Sequence, residues 1–163
     1  MLLVSQCLTG ANCRYNGKAK PNQEVIDFLA TLAIGRDYLL ICPESFAKLP
    51  IPRAPGEIIG GSAEAVWQGT ARVENQAGED YTPAFLRGAE LACLLAQASG
   101  ANAALLKENS PSCGVHRVHE GSFSGATVPG QGVAALALAK LGITLFNEDE
   151  LEELRQFISK KQD

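Results

Sequence analysis

No stretch of this sequence approaches the ~20 consecutive apolar residues of a membrane-spanning helix, so no span and no membrane partner is expected. Residues 1–6 are apolar, but they lack a basic start and are too short to read as a secretory signal. A cationic surplus is missing too. Lys and Arg number 14 against 18 Asp and Glu, for a net charge of −4 and a pI near 5.2. A dedicated nucleic-acid surface is therefore not expected, which leaves room only for a local basic pocket. The sequence contains no Cys-x-x-Cys pair, so no compact metal motif announces itself. No G-x-G-x-x-G follows the first apolar run and no G-x-x-x-x-G-K-[ST] occurs, so dinucleotide and P-loop nucleotide binding find no support. Internal repeats and low-complexity tracts are absent.

What is present fits one ordinary domain over residues 1–163, long enough to bury a sizeable core. Cysteines stand at 7, 13, 42, 93 and 113. Their number is odd and they are scattered, which favours a reducing compartment, the cytoplasm of a bacterium-like cell, over a disulfide framework. Residues 2–6, 38–41, 102–106 and 143–146 read as short buried strands. Helices are predicted over 23–34, capped by Asn22, from the Asp80–Pro83 opening to Ser99, over 132–141, and over 148–161 behind an Asn147 cap. The prolines at 43, 50, 52 and 55 make 43–62 a loop. Residues 64–74 read as a small hairpin or a brief helix before an edge strand, and 107–130 as loop with a short strand near 116–119. Strands alternating with helices predict an α/β fold: a single-domain, Rossmann-like three-layer sandwich with a mostly parallel sheet and helices on both faces.

Three of the apolar strands run straight into a cysteine. Leu2–Ser5 precedes Cys7, Tyr38–Ile41 precedes Cys42, and Ala103–Leu106 precedes Lys107-Glu108-Asn109-Ser110-Pro111-Ser112-Cys113-Gly114. In a parallel sheet all strand exits share one edge, so the three thiols are expected to converge. They could hold a zinc, or three irons of a [4Fe-4S] cluster whose fourth iron stays open as a Lewis acid. The bland alternative is a small apolar residue at each strand end, since free cysteine is commonly buried. Cys93 reads as helix packing and Cys13 as a bystander. Glu44, two residues past Cys42, is a candidate acid or base. Ser110 or Ser112 could relay a proton or merely cap a turn. Arg14, Arg53 and Lys107 could meet an anionic substrate group or make loop hydrogen bonds. His116 and His119 read as loop-stabilising.

Taken together, the segments Val4–Leu8, Asn12–Gly17, Cys42-Pro43-Glu44, Pro52-Arg53, Ile58–Gly61, Ala84–Ala89, Leu106–Gly114 and Gly121-Ser122-Phe123-Ser124-Gly125 resemble the thiouracil desulfidase family of bacteria. The resemblance runs over residues 1–146. It implies a [4Fe-4S] cluster on Cys7, Cys42 and Cys113, with Glu44 and Ser110 as the proton-handling pair. Arg14, Arg53, Lys107 and Ser112 become candidate substrate contacts. The implied reaction replaces C=S by C=O on a small thiolated nucleobase such as 2-thiouracil and releases hydrosulfide without net redox. A monomer or weak homodimer is expected. Gln6, Thr9, Cys13 and Asn16 stand where Ala, Leu, Val and Asp are expected in the first loop, which bears on the choice of substrate. Two other readings compete: a cluster- or metal-binding sensor without turnover, and a hydrolase using Cys113 as nucleophile with His116 as its base.

Overall fold

The computed structural model describes residues 1–160. Along the chain, β1 (Leu2–Ser5) runs into a 3-10 turn (Gln6–Thr9) and α1 (Gln23–Leu29). β2 (Tyr38–Ile41) runs into α2 (Pro43–Phe46), and β3 (Gly56–Ile59) and β4 (Arg72–Asn75) flank α3 (Ala63–Trp67). The long α4 (Thr82–Ser99) precedes β5 (Ala103–Leu106). A hairpin of β6 (Arg117–His119) and β7 (Thr127–Pro129) follows, then α5 (Val133–Lys140), β8 (Thr144–Asn147) and α6 (Leu151–Ser159).

The predicted sandwich is what forms. β1, β2, β5 and β8 make a parallel sheet in the order β2-β1-β5-β8, with Leu3 opposite both Leu39 and Ala104. Successive side chains on a strand point to opposite faces, and the core divides accordingly. Leu2, Val4 and Leu105 pack on one face against Val25 and Phe28 of α1 and Leu151 and Leu154 of α6. Leu3, Ala104 and Leu106 pack on the other against Ala96 of α4 and Leu138 of α5. Burying each such leucine contributes roughly 1.5–3 kcal/mol, so near-continuous apolar strands are what a sheet covered on both sides requires. A satellite layer, in which β3 and β4 pair antiparallel, packs with α3 against α4 and α5. Among the described residues, no helix is long and apolar enough to cross a membrane.

Several boundaries differ from those expected. Residues 43–62 are not all loop. Pro43 opens α2, where its missing N–H would have no partner anyway, and β3 begins just past the last proline of the stretch. The brief helix wins over the hairpin at 64–67, with Ser62 capping α3. The strand near 116–119 has a partner, β7, which gives no clear sequence signal. The first helix keeps its Asn22 cap but stops at Leu29 rather than at 34. Asn147 ends β8 instead of capping α6, because its side-chain amide is turned to Glu108 and its N–H donates to Glu150. Lys161, expected at the end of the last helix, lies outside the described residues.

Candidate active site

The sheet changes winding direction between β1 and β5, since β1 connects onward to β2 on one side while β5 lies on the other. Ligands of open α/β sheets bind beyond the carboxyl ends of the strands at such a point. Cys7 leaves β1 in the 3-10 turn, Cys42 leaves β2 as the residue before α2, and Cys113 follows β5. All three line one cavity of about 450 Å³, a size ordinary for a small-molecule site. Two glycines hold the cysteine loops in place by close backbone approach. A Cβ on Gly88 of α4 would lie 2.1 Å from the Pro43 carbonyl oxygen, and one on Gly132, ahead of α5, 2.4 Å from that of Ser112.

Cys13 is more than a bystander. It is buried, lines the same cavity, and its backbone carbonyl accepts from the Cys42 thiol at 3.9 Å. Its thiol hydrogen-bonds Cys42 and Cys7, keeping the proton on Cys13 and pushing its pKa up. The same bond draws the Cys42 thiol down to about 6, against its burial, helped by the Ser45 hydroxyl and N–H and by the charge of Arg53. Cys7 is lowered in the same way by the Cys13 hydrogen bond. Burial pushes Cys113 up to about 12.

Among the described residues, no three His, Cys, Asp or Glu side chains are spaced for a single ion. That spacing disfavours the zinc alternative, whose thiolates would crowd to roughly 4 Å from one another around one Zn–S shell. An iron–sulfur cluster spreads its cysteines over several irons, so soft donors delivered by three separate strand exits to one cavity suit it. Cys7, Cys42 and Cys113 fit that group, and a fourth protein donor is not required of them.

Glu44 and Arg53 both line the cavity and form an ion pair with each other. The arginine is thus placed on the carboxylate, with its guanidinium also 5.9 Å from the centre of the Tyr81 ring and its Nε buried without a partner. Ser110 Oγ accepts from the N–H groups of Ser112 at 3.1 Å and Cys113 at 3.0 Å. It caps the turn, and with both lone pairs taken its own proton remains the group it can offer to the cavity. Ser112 is buried, its hydroxyl has no partner, and it stands behind the wall rather than on it. Lys107 lines the cavity, but its ammonium is paired with Glu148. Arg14 lines it with its guanidinium over the neighbouring Tyr15 ring.

The structure adds residues that went unread in the sequence. Glu108 accepts from the N–H groups of Asn109, Val115, His116 and Arg117 and from the Asn147 amide. Burial alone would raise its carboxyl, but these bonds outweigh that and hold it below the usual range. Glu57, buried in β3, and Phe123, after β6, line the cavity on the satellite side; His119, expected only to stabilise its loop, lines it too. A lone carboxylate in the otherwise apolar run Gly56-Glu57-Ile58-Ile59 was the available signal for Glu57. His116 is exposed and bonded to Glu150 at 2.8 Å. It is not among the residues lining the cavity, and the Cys113 thiol is buried and raised. A Cys113–His116 nucleophilic pair is therefore not assembled.

Comparison with known proteins gives the chain's relatives. A family model described as 2-thiouracil desulfurase matches residues 2–150. The uncharacterized protein YbbK of Bacillus subtilis (strain 168) is 39% identical over 154 residues, covering 94% of this chain and 99% of the relative. A solved structure of the [4Fe-4S]-dependent thiouracil desulfidase TudS superposes with a TM-score of 0.83 at 39% identity, covering 97% of each chain.

Proposed function

Because the chain belongs to the 2-thiouracil desulfurase family, we propose that it is a [4Fe-4S]-dependent desulfidase that converts C=S to C=O on a thiolated pyrimidine such as 2-thiouracil. The observation that carries this reading is the meeting of Cys7, Cys42 and Cys113 on one cavity that also holds the Glu44–Arg53 pair. When bound by the three cysteines, the cluster supplies an open, thiophilic iron that polarises a thiocarbonyl.

The chain's own residues supply the rest. Glu44, held by its ion pair with the arginine, takes a proton from the attacking water. Ser110 gives its hydroxyl hydrogen to the substrate, since two backbone N–H groups already occupy its oxygen. Cys13 does not replace one of the three cluster cysteines. Water adds to the ring carbon and sulfur leaves as hydrosulfide, so oxygen replaces sulfur at one oxidation level and no electron donor is needed. The five unpaired thiols suit the cytoplasm. The large exposed apolar side chains (Ile34, Ile51, Leu94, Val128 and Leu141) are scattered along the chain, which suits a monomer or weak homodimer.

The test is anaerobic reconstitution followed by iron and sulfide quantification and a hydrosulfide assay with thiolated nucleobases. Broad visible absorption with hydrosulfide release from 2-thiouracil is the expected result. Metal without hydrosulfide would point to a sensor, and a colourless, iron-free protein would sink both readings.

A further inference from the structure

The loop between β6 and β7 carries the Gly121-Ser122-Phe123-Ser124-Gly125 segment, to which the chemistry above gives no task. It is held in an unusual way. A single oxygen of the Glu57 carboxylate accepts from the N–H groups of Gly121 at 2.9 Å and Phe123 at 3.1 Å. Glu57 is 7% exposed. Among the described residues no cation pairs with it, so its charge is balanced by those two backbone dipoles. Charged acceptors make the stronger hydrogen bonds, and here that strength is spent on the backbone of one loop. The loop also lies directly on β3: a Cβ on Gly121 would stand 2.6 Å from the Ile58 carbonyl oxygen. On the outer side Ser124 donates to Glu120, and the Ser122 hydroxyl is within hydrogen-bond distance of both of them.

What this clamp presents is Phe123. Its backbone sits at φ 57°, a left-handed conformation that a bulky residue adopts only when its surroundings impose it. Three aromatic residues other than His119 line the cavity: Tyr15, Phe85 and Phe123. Phe85 is 2% exposed and packed in the satellite core. Tyr15 carries the Arg14 guanidinium 5.5 Å from its ring centre. Phe123 is half-buried, and among the described residues it has no aromatic or cationic partner. A constrained ring on the wall of the same cavity that carries the thiols has the attributes of a stacking platform.

We infer that Phe123 is the surface against which the substrate's pyrimidine ring stacks, and that Glu57 is the positioning residue that holds it there. The inference rests on the proposed desulfidase function and extends it to the specificity for a ring. Contact through sulfur alone would leave a flat heterocycle free to turn about the C=S axis. A fixed aromatic face sets the plane of the ring, so that water approaches from the side of Glu44. An acyclic thiocarbonyl would gain nothing from it.

The experiment uses the anaerobically reconstituted protein and its Phe123→Ala, Phe123→Leu, Phe123→Tyr, Glu57→Ala and Glu57→Gln variants. Three quantities are measured: iron and sulfide content, kcat and KM for 2-thiouracil, and the Kd for uracil by NMR titration. Uracil keeps the ring and lacks the sulfur. Removing one aromatic stacking partner is expected to raise both KM and the uracil Kd by about 10-fold, with kcat changed far less. Phe123→Leu, which keeps apolar volume and protects against loss of fold, should behave like Phe123→Ala, and Phe123→Tyr should recover most of the affinity. Glu57→Ala should copy Phe123→Ala with iron content intact, and Glu57→Gln should rescue it. Unchanged uracil affinity in Phe123→Ala, or no uracil binding by the wild type, overturns the inference. Loss of iron in Glu57→Ala overturns the positioning role. A wild type that binds uracil but releases no hydrosulfide overturns the desulfidase reading, and the uracil titration still decides the role of Phe123.

Discussion

Cys42 and Glu44 sit two residues apart on one turn of α2, which places a proposed ligand and a proposed base on the same short element. Replacing Glu44 by Gln keeps the shape and removes the basicity. Hydrosulfide release should fall by about 10²–10⁴-fold while iron, sulfide and visible absorption stay at wild-type levels. The cysteines give a second contrast. Alanine at Cys7, Cys42 or Cys113 should abolish cluster retention, whereas Cys13→Ala should keep the full iron and sulfide content, measured after identical reconstitution. A Cys13→Ala protein that loses iron would mean that the ligand set has been misassigned. The meeting of Cys7, Cys42 and Cys113 on one cavity was legible in the sequence because each follows an apolar strand, and parallel strands end on one edge. The contact of Cys13 with Cys7 and Cys42 was not legible, since it depends on how a loop without regular structure folds back. The pairing of Arg53 with Glu44 was hidden for the same reason: eight residues of proline-rich chain lie between them, and spacing there fixes no direction.

At the scale of elements, two contacts decide whether the cysteine loops stay put. Alanine normally stabilises a helix interior over glycine by about 1 kcal/mol. At Gly88 the added carbon would collide with the Pro43 carbonyl, and overpacking costs about 1–3 kcal/mol. Gly88→Ala should therefore lower Tm, and it should reduce iron retention because Cys42 and Glu44 move with Pro43. Thermal melts and iron content of the purified variant check both. Glu108 gathers the loop from Asn109 to Arg117. Glu108→Gln should cost about 2 kcal/mol at neutral pH, a Tm drop of roughly 4–8 °C for a chain of this size. The sign with pH follows from a folded pKa held below its unfolded value. The stabilisation is present above about pH 4.5 and is lost as pH falls through the folded value, so the melting curves of wild type and variant should converge in acid. Elements built from local periodicity, such as α4 with its Pro83 opening and Gly100 stop, were readable in advance. α2, β3 and β7 were not. Three or four residues carry little period, and β3 and β7 exist only because a partner strand beyond an intervening segment completes their hydrogen bonds.

For the whole molecule, the parallel sheet and its two apolar faces hold the site open at one edge, and the cluster would tie that edge together. A group bound by the folded state and not by the unfolded one stabilises by mass action. Anaerobically loaded protein should therefore melt several degrees above the same sample after chelation of its iron, as measured by calorimetry under argon. Equal melting points for the two forms would show that the three loops are already rigid without their cofactor. The sandwich as a class was evident from alternating strands and helices. The strand order, which puts β5 beside β1 and so Cys113 beside Cys7, is a long-range choice that single-sequence periodicity does not encode.

That strand order also governs how the protein comes into being. β1 pairs first with β2, but its other edge waits for β5, about a hundred residues later in the chain. Contacts of such sequence separation form late and slowly. During synthesis Cys7 and Cys42 emerge and their strands can pair while Cys113 is still absent, so a complete binding site exists only after the sheet has closed around β1. Cofactor delivery is thereby a report on finished folding. Core substitutions outside the cavity lining, Leu105→Ala for instance, would first be noticed in a cell as iron-poor protein rather than as missing protein.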